Sequence, residues 1–98
     1  MYFSEVIKSF KCKDTQKIYN REFSKKFHQE IQKIALRKLW MIDAAEKLID
    51  LKHPPANRLE KLTGNRKGQF SIRINKQWRI CFDWKNNDAH NVEITDYH

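Results

Sequence analysis

The pair Pro54-Pro55 divides the chain into two halves with different hydrophobic periods. Proline lacks the amide donor and pushes its predecessor out of the helical region, so no regular helix runs through this point. Before the pair, Ile31, Ile34, Ala35, Ile42, Ala45 and Ile49 recur at helical spacing. They predict one amphipathic helix from about Gln29 to Leu51. Leu39 lies at the edge of that stripe, and Lys33, Arg37, Asp43 and Lys47 fall on the opposite face. Trp40 points to the polar face too, one turn after Leu36. Such a pair suits a contact for another protein, or burial under the first helix or a loop.

After the prolines the period becomes two. Phe70, Ile72 and Ile74 alternate with Ser71, Arg73 and Asn75, and Trp78, Ile80, Phe82 and Trp84 alternate with Arg79, Cys81 and Asp83. These are strands joined by hairpins. A short strand is expected over Arg58 to Leu62, a basic turn over Gly64 to Gly68, and a turn at Asn86-Asn87-Asp88. His90 to Tyr97 forms the last strand, with Val92 and Ile94 facing in. Upstream, residues 3–10 read as a first strand, and Asp14 caps a short helix through about Arg21. Glu22 to His28 reads as more helix or as a turn. The predicted order is β-α-α-β-β-β-β. This is an α+β fold, with an N-terminal strand and two helices on one face of a mostly antiparallel sheet. With 98 residues, one domain spanning 1–98 is expected.

Twenty Lys plus Arg against twelve Asp plus Glu leave +8. That excess favours a polyanionic partner, the plainer alternative being a solvated helical face. It is uneven: residues 1–38 hold ten basic and four acidic side chains, residues 39–56 two and three, residues 57–98 eight and five. Cys12 and Cys81 stand far apart, without zinc or disulfide-framework spacing, which suits reduced thiols in the cytoplasm. No apolar run approaches the roughly 18 residues of a membrane helix, so no membrane partner is expected.

Strand parity places Arg73 and Arg79 opposite each other, on the sheet face away from the helices, if Asn75-Lys76-Gln77 is the loop between their strands. Like charges opposed across a ladder repel. A phosphate between them would relieve this through charge-assisted hydrogen bonds, and so would a carboxylate from Asp83, Glu60 or Glu93. Glu60 therefore reads as general base or as counter-ion. Arg66 and Lys67, in the glycine-bounded turn, suit contact with a nucleic-acid backbone or simple solvation. The chain ends in Asp96-Tyr97-His98, three proton-active groups in a row. Histidine exchanges protons near neutral pH, and tyrosine donates a proton or stacks on a base. His28, His53 and His90 read as surface residues. No His, Cys or carboxylate cluster has metal-ligand spacing, so chemistry without metal or cofactor is expected.

Several of these stretches resemble toxins of the RelE superfamily, and within it the HigB branch. They are Asn57 to Leu62 with Gly64 to Gly68, Ser71 to Asn75, Gln77 to Phe82 and the ending Asp96-Tyr97-His98. Ile7 to Lys11 and Ala35 to Leu39 are similar to that branch as well, so the resemblance covers nearly the whole chain. It implies a microbial-RNase-like fold and a ribosome-dependent mRNA endoribonuclease that cuts in the ribosomal A site. It also implies inhibition by a HigA-type helix-turn-helix antitoxin, through which alone operator DNA would be reached. By position it implies Asp96, Tyr97 and His98 as the catalytic group, Arg79 as phosphate ligand and Arg73 beside it. The implied reaction is metal-free attack of the 2′-hydroxyl on its own phosphate, with His98 or Glu60 as base. The chain departs from some relatives at Glu60, where they carry histidine, and at Thr63, where they carry lysine; the latter removes one positive charge. Three rival functions remain at this stage: a ribosome-free RNase, a gyrase poison of the ParE kind, and a plain RNA-binding module.

Overall fold

The computed structural model describes residues 5–96. Among these, α1 spans Lys13–Tyr19 and α2 Gln29–Ala44. Four strands follow, β1 Glu60–Lys61, β2 Gln69–Arg73, β3 Trp78–Lys85 and β4 Asp88–Asp96. They pair antiparallel in the order β1-β2-β3-β4. The two helices lie against one face of this sheet, in line with the α+β expectation. Ile31, Ala35, Leu39 and Ile42 of α2 meet Ile72, Ile80, Phe82, Val92 and Ile94 in a single core. No helix among the described residues is long and apolar enough to cross a membrane.

The opening strand expected over residues 3–10 is reduced within its described part, and residues 3 and 4 lie outside the described residues. Between Glu5 and Phe10 the chain makes only two isolated parallel bridges to β4, Ile7 to Ala89 and Phe10 to Val92. The cause lies in β4. Register shifts between Cys81 and Asp83, where Asn91 takes a left-handed φ of 54°. The extra residue lets Ala89 and Val92 both face the core despite their odd spacing, and both are fully buried. It also breaks the ladder that a continuous first strand would need. The hairpin before it turns on Asn86 and Asn87, both at positive φ, as a two-residue turn of the primed type requires. The strand expected over Arg58 to Leu62 is likewise shortened, because Arg58 is left-handed at φ 45° and only Glu60 and Lys61 join the sheet.

The second helix is shorter than its periodicity predicts. It stops at Ala44 because Asp50 Oδ2 accepts the amides of Glu46 at 3.1 Å and Lys47 at 3.0 Å, starting a separate turn at Leu48–Lys52. Ile49 then falls outside the stripe and is 59% exposed, while Leu51 takes a core position. Leu39, expected at the edge, is fully buried. The ambiguous stretch before α2 is a turn held by Gln32. Its Oε1 accepts the Ser24 amide, and its Nε2 donates to the Ser24 and Phe27 carbonyls.

Asp43, expected on the solvated face, instead pins three segments. Its Oδ1 accepts the amides of Val6 and Ile7 at 3.0 and 2.9 Å, and its Oδ2 accepts the Tyr19 hydroxyl at 2.7 Å. Burial, then the Asp43 carboxylate, push the Tyr19 hydroxyl above its ordinary range near 10. The folded value exceeds the unfolded one, so this contribution is complete below about pH 10 and is lost as pH rises through the folded value. Tyr19→Phe is expected to be less stable than the parent by ~1.5 kcal/mol at neutral pH. That gap should narrow in urea titrations carried above about pH 10. A gap constant with pH would contradict the assignment.

Candidate active site

The sheet face away from the helices carries the polar residues of alternate parity. Glu60, Ser71, Cys81 and Glu93 follow one another across it, each paired with the next. One rung along, Arg79 stands between Arg73 on β2 and Thr95 on β4. The opposition of Arg73 and Arg79 is therefore as strand parity requires. The intervening loop is held by Asn75, whose Oδ1 accepts the amides of Gln77 at 2.9 Å and Trp78 at 2.8 Å. An asparagine side chain closing its own turn in this way fixes the hairpin length and so the parity.

The two guanidiniums diverge. Arg73 Nε donates to the Asn75 carbonyl at 3.0 Å, back towards its own loop. Arg79 is 6% exposed and reaches across the sheet instead. Its Nε donates to Ser71 Oγ at 2.7 Å and its Nη2 to the Arg58 carbonyl at 2.7 Å. Glu60 Oε2 lies 3.8 Å from the same Nη2. This is a nearly buried cation fixed through two donors, with a carboxylate alongside at looser distance. The left-handed backbone at Arg58 has a purpose here, since its carbonyl is one of the acceptors that orient Arg79.

Of the other expected site residues, Arg66 is tied down. Its Nη1 lies 2.8 Å from Glu93 Oε1 and donates to Gln69 Oε1 at 3.0 Å. Its charge is thus committed to the sheet, while Lys67 beside it is exposed. Asp96 ends β4 opposite Trp78, and its Oδ2 accepts Gln77 Nε2 at 3.0 Å. Tyr97 and His98 lie outside the described residues. Asp96, Arg79 and Arg73 thus share one end of the sheet, beside the loop of residues 75–77, with Glu60 near Arg79. Sequence reasoning missed Ser71 and the Arg58 carbonyl as partners of Arg79. Ser71 was within reach, since it shares the parity of Arg73. The carbonyl was not, since nothing local marks Arg58 for left-handed geometry. Cys81 sits on the same face but is buried, which pushes its thiol up and away from the reactive form.

Comparison with known proteins gives a consistent picture. A family model described as the RelE-like toxin of the type II toxin–antitoxin system HigB matches residues 8–98. A protein named Toxin HigB-1 from Vibrio cholerae is 47% identical over 64 residues, 65% of this chain and 67% of that protein. One named Endoribonuclease HigB from Proteus vulgaris is 33% identical over 94 residues, 95% of this chain and 100% of that protein. Among solved structures, a YoeB-YefM complex from Staphylococcus aureus superposes with a TM-score of 0.60. It covers 100% of this chain and 99% of that one at 19% identity, a likeness of fold.

Proposed function

This chain belongs to the HigB-like family of RelE-like toxins from type II toxin–antitoxin systems, and from that premise we propose that it is a ribosome-dependent endoribonuclease that cuts translated mRNA. The observation that carries the reading is Arg79. A guanidinium held by Ser71 Oγ and the Arg58 carbonyl, and hardly exposed, is a cation set in place before substrate arrives. Such a group stabilises charge that develops on a phosphorane without reorganising during the reaction. The name of the Proteus vulgaris relative supports ribonuclease chemistry, and the titles of the YoeB-YefM complexes support an antitoxin as partner. That antitoxin is of the HigA helix-turn-helix type, and it neutralises the toxin in the cytoplasm.

In the proposed reaction, His98 removes the proton of the RNA 2′-hydroxyl, and the oxygen attacks the adjacent phosphorus. The bond to the 5′-oxygen breaks, that oxygen takes a proton from solvent, and a 2′,3′-cyclic phosphate remains. Arg79 and Arg73 stabilise the phosphorane, Tyr97 orients a base and Asp96 positions His98. Glu60, 3.8 Å from Arg79, acts as counter-ion. DNA is inert because it lacks the attacking hydroxyl.

The decisive experiment adds the purified protein to a translating extract and maps message ends. Cuts in phase with codons, and in translated message only, are the expected result. Cuts in naked RNA would replace this reading with a ribosome-free RNase. Intact message with stalled gyrase would replace it with a ParE-like toxin.

A further inference from the structure

A groove of about 550 Å³ runs beside the Arg79 seat, between α2, the Pro55–Asn57 turn and the loop after β2. Arg37, Lys38, Arg58, Arg73 and Lys76 line it, and among the described residues no carboxylate does. Other hollows do hold carboxylates. The one beside Trp40 and Asp88 is acidic, with Glu5, Asp43, Glu46 and Asp88 against Lys8. Lys38 is 8% exposed, with its ammonium donating to Asn57 Oδ1. Burial, then the charge of Arg37, push it below the ordinary lysine value.

The groove is continuous with the seat at two residues. Arg73 lines it and is the ladder partner of Arg79. Arg58 lines it and lends its carbonyl to Arg79 Nη2. We propose that this groove carries the backbone of the message strand onward from the phosphate held at Arg79, with Arg37 and Lys76 as the phosphate contacts farthest along it. The proposal rests on the ribonuclease reading and adds the path of the substrate to it. A continuous strand is favoured over a separate ribosomal RNA contact because the groove shares two residues with the seat.

Arg37 and Lys76 are exposed and take no part in the proposed reaction, so the variant Arg37→Gln/Lys76→Gln should fold. The probes are single-stranded 2′-O-methyl RNAs, which cannot be cut, as a trinucleotide and as a strand of about nine nucleotides. Affinities are read by fluorescence anisotropy over a range of salt. The parent is expected to bind the longer strand about tenfold more tightly. The double variant should bind both lengths alike, with the salt slope for the longer strand lowered by roughly 1.4, the share of two phosphate contacts. The control Lys8→Gln/Lys33→Gln removes the same charge from two other hollows and should keep the length dependence.

Any of the following outcomes overturns the proposal. The parent shows no length dependence, or binds neither strand measurably. The double variant keeps the length dependence. It weakens both strands equally, as a detached anion site would. The control loses as much as the double variant. Message ends mapped with the same parent preparation separate the two readings. Codon-phased cuts without a groove effect reject the groove alone, and absent cuts reject the ribonuclease.

Discussion

Arg79→Lys is expected to slow message cleavage by ~10²–10³-fold while keeping the site's net charge. The size follows from geometry. The guanidinium is held on Ser71 Oγ and the Arg58 carbonyl, which fixes the plane of its fork. An ammonium is a point charge on a flexible stem, and it cannot hold both acceptors and face a phosphate as a fork does. The same change carries a stability cost, because each buried acceptor left without its donor costs about 1–3 kcal/mol. Cleavage rates must therefore be compared at equal folded fraction, measured by thermal unfolding. Ser71→Ala separates the terms further: it removes one acceptor, leaves the guanidinium, and should lower the rate by less than tenfold. If the lysine variant, once folded, cuts as fast as the parent, Arg79 is a structural bridge between β1, β2 and β3 and not a phosphate ligand.

The site was legible wherever it depended on local rules. Alternation of Phe70, Ile72 and Ile74 with Ser71 and Arg73 fixes which side chains share a face, and a three-residue loop fixes which residues oppose each other. The pairing of Arg73 with Arg79 needs nothing else. What escaped depended on long-range partners. Glu93 and Arg66 are separated by two strands in sequence, and only the folded sheet brings them to 2.8 Å. Periodicity alone also overextended α2. The stripe through Ile49 is real as a pattern, but Asp50 offers the amides of Glu46 and Lys47 a better acceptor than a further helical turn, and the helix ends there. Asp43 shows the same limit in reverse. A carboxylate on the polar face of a helix reads as solvated until two amides and a tyrosine hydroxyl arrive from the N-terminal third of the chain. The opening strand failed for a similar reason, since the bulge at Asn91 belongs to the strand it would have joined.

Deleting His98 is expected to abolish cleavage and to leave both the fold and antitoxin binding in place. A positioned imidazole contributes ~10²–10⁴-fold through proton transfer, so its loss should take the rate to the floor of an end-mapping assay. The fold should persist because the described part of β4, through Asp96, is anchored by its own contacts. Asp96 pairs with Trp78 and accepts Gln77 Nε2 at 3.0 Å, and Val92 and Ile94 carry the strand's share of the core. Antitoxin binding is read by co-purification of the truncated chain with its antitoxin, and folding by the unfolding midpoint. Two results would displace the assignment. Full-rate cleavage by the truncated chain would transfer the base to Glu60, whose carboxylate lies 3.8 Å from Arg79, and Glu60→Gln should then be inactive. Loss of cleavage together with loss of antitoxin binding or a lowered midpoint would make the terminal residue a structural one, and the base would have to be sought again on the Arg79 face.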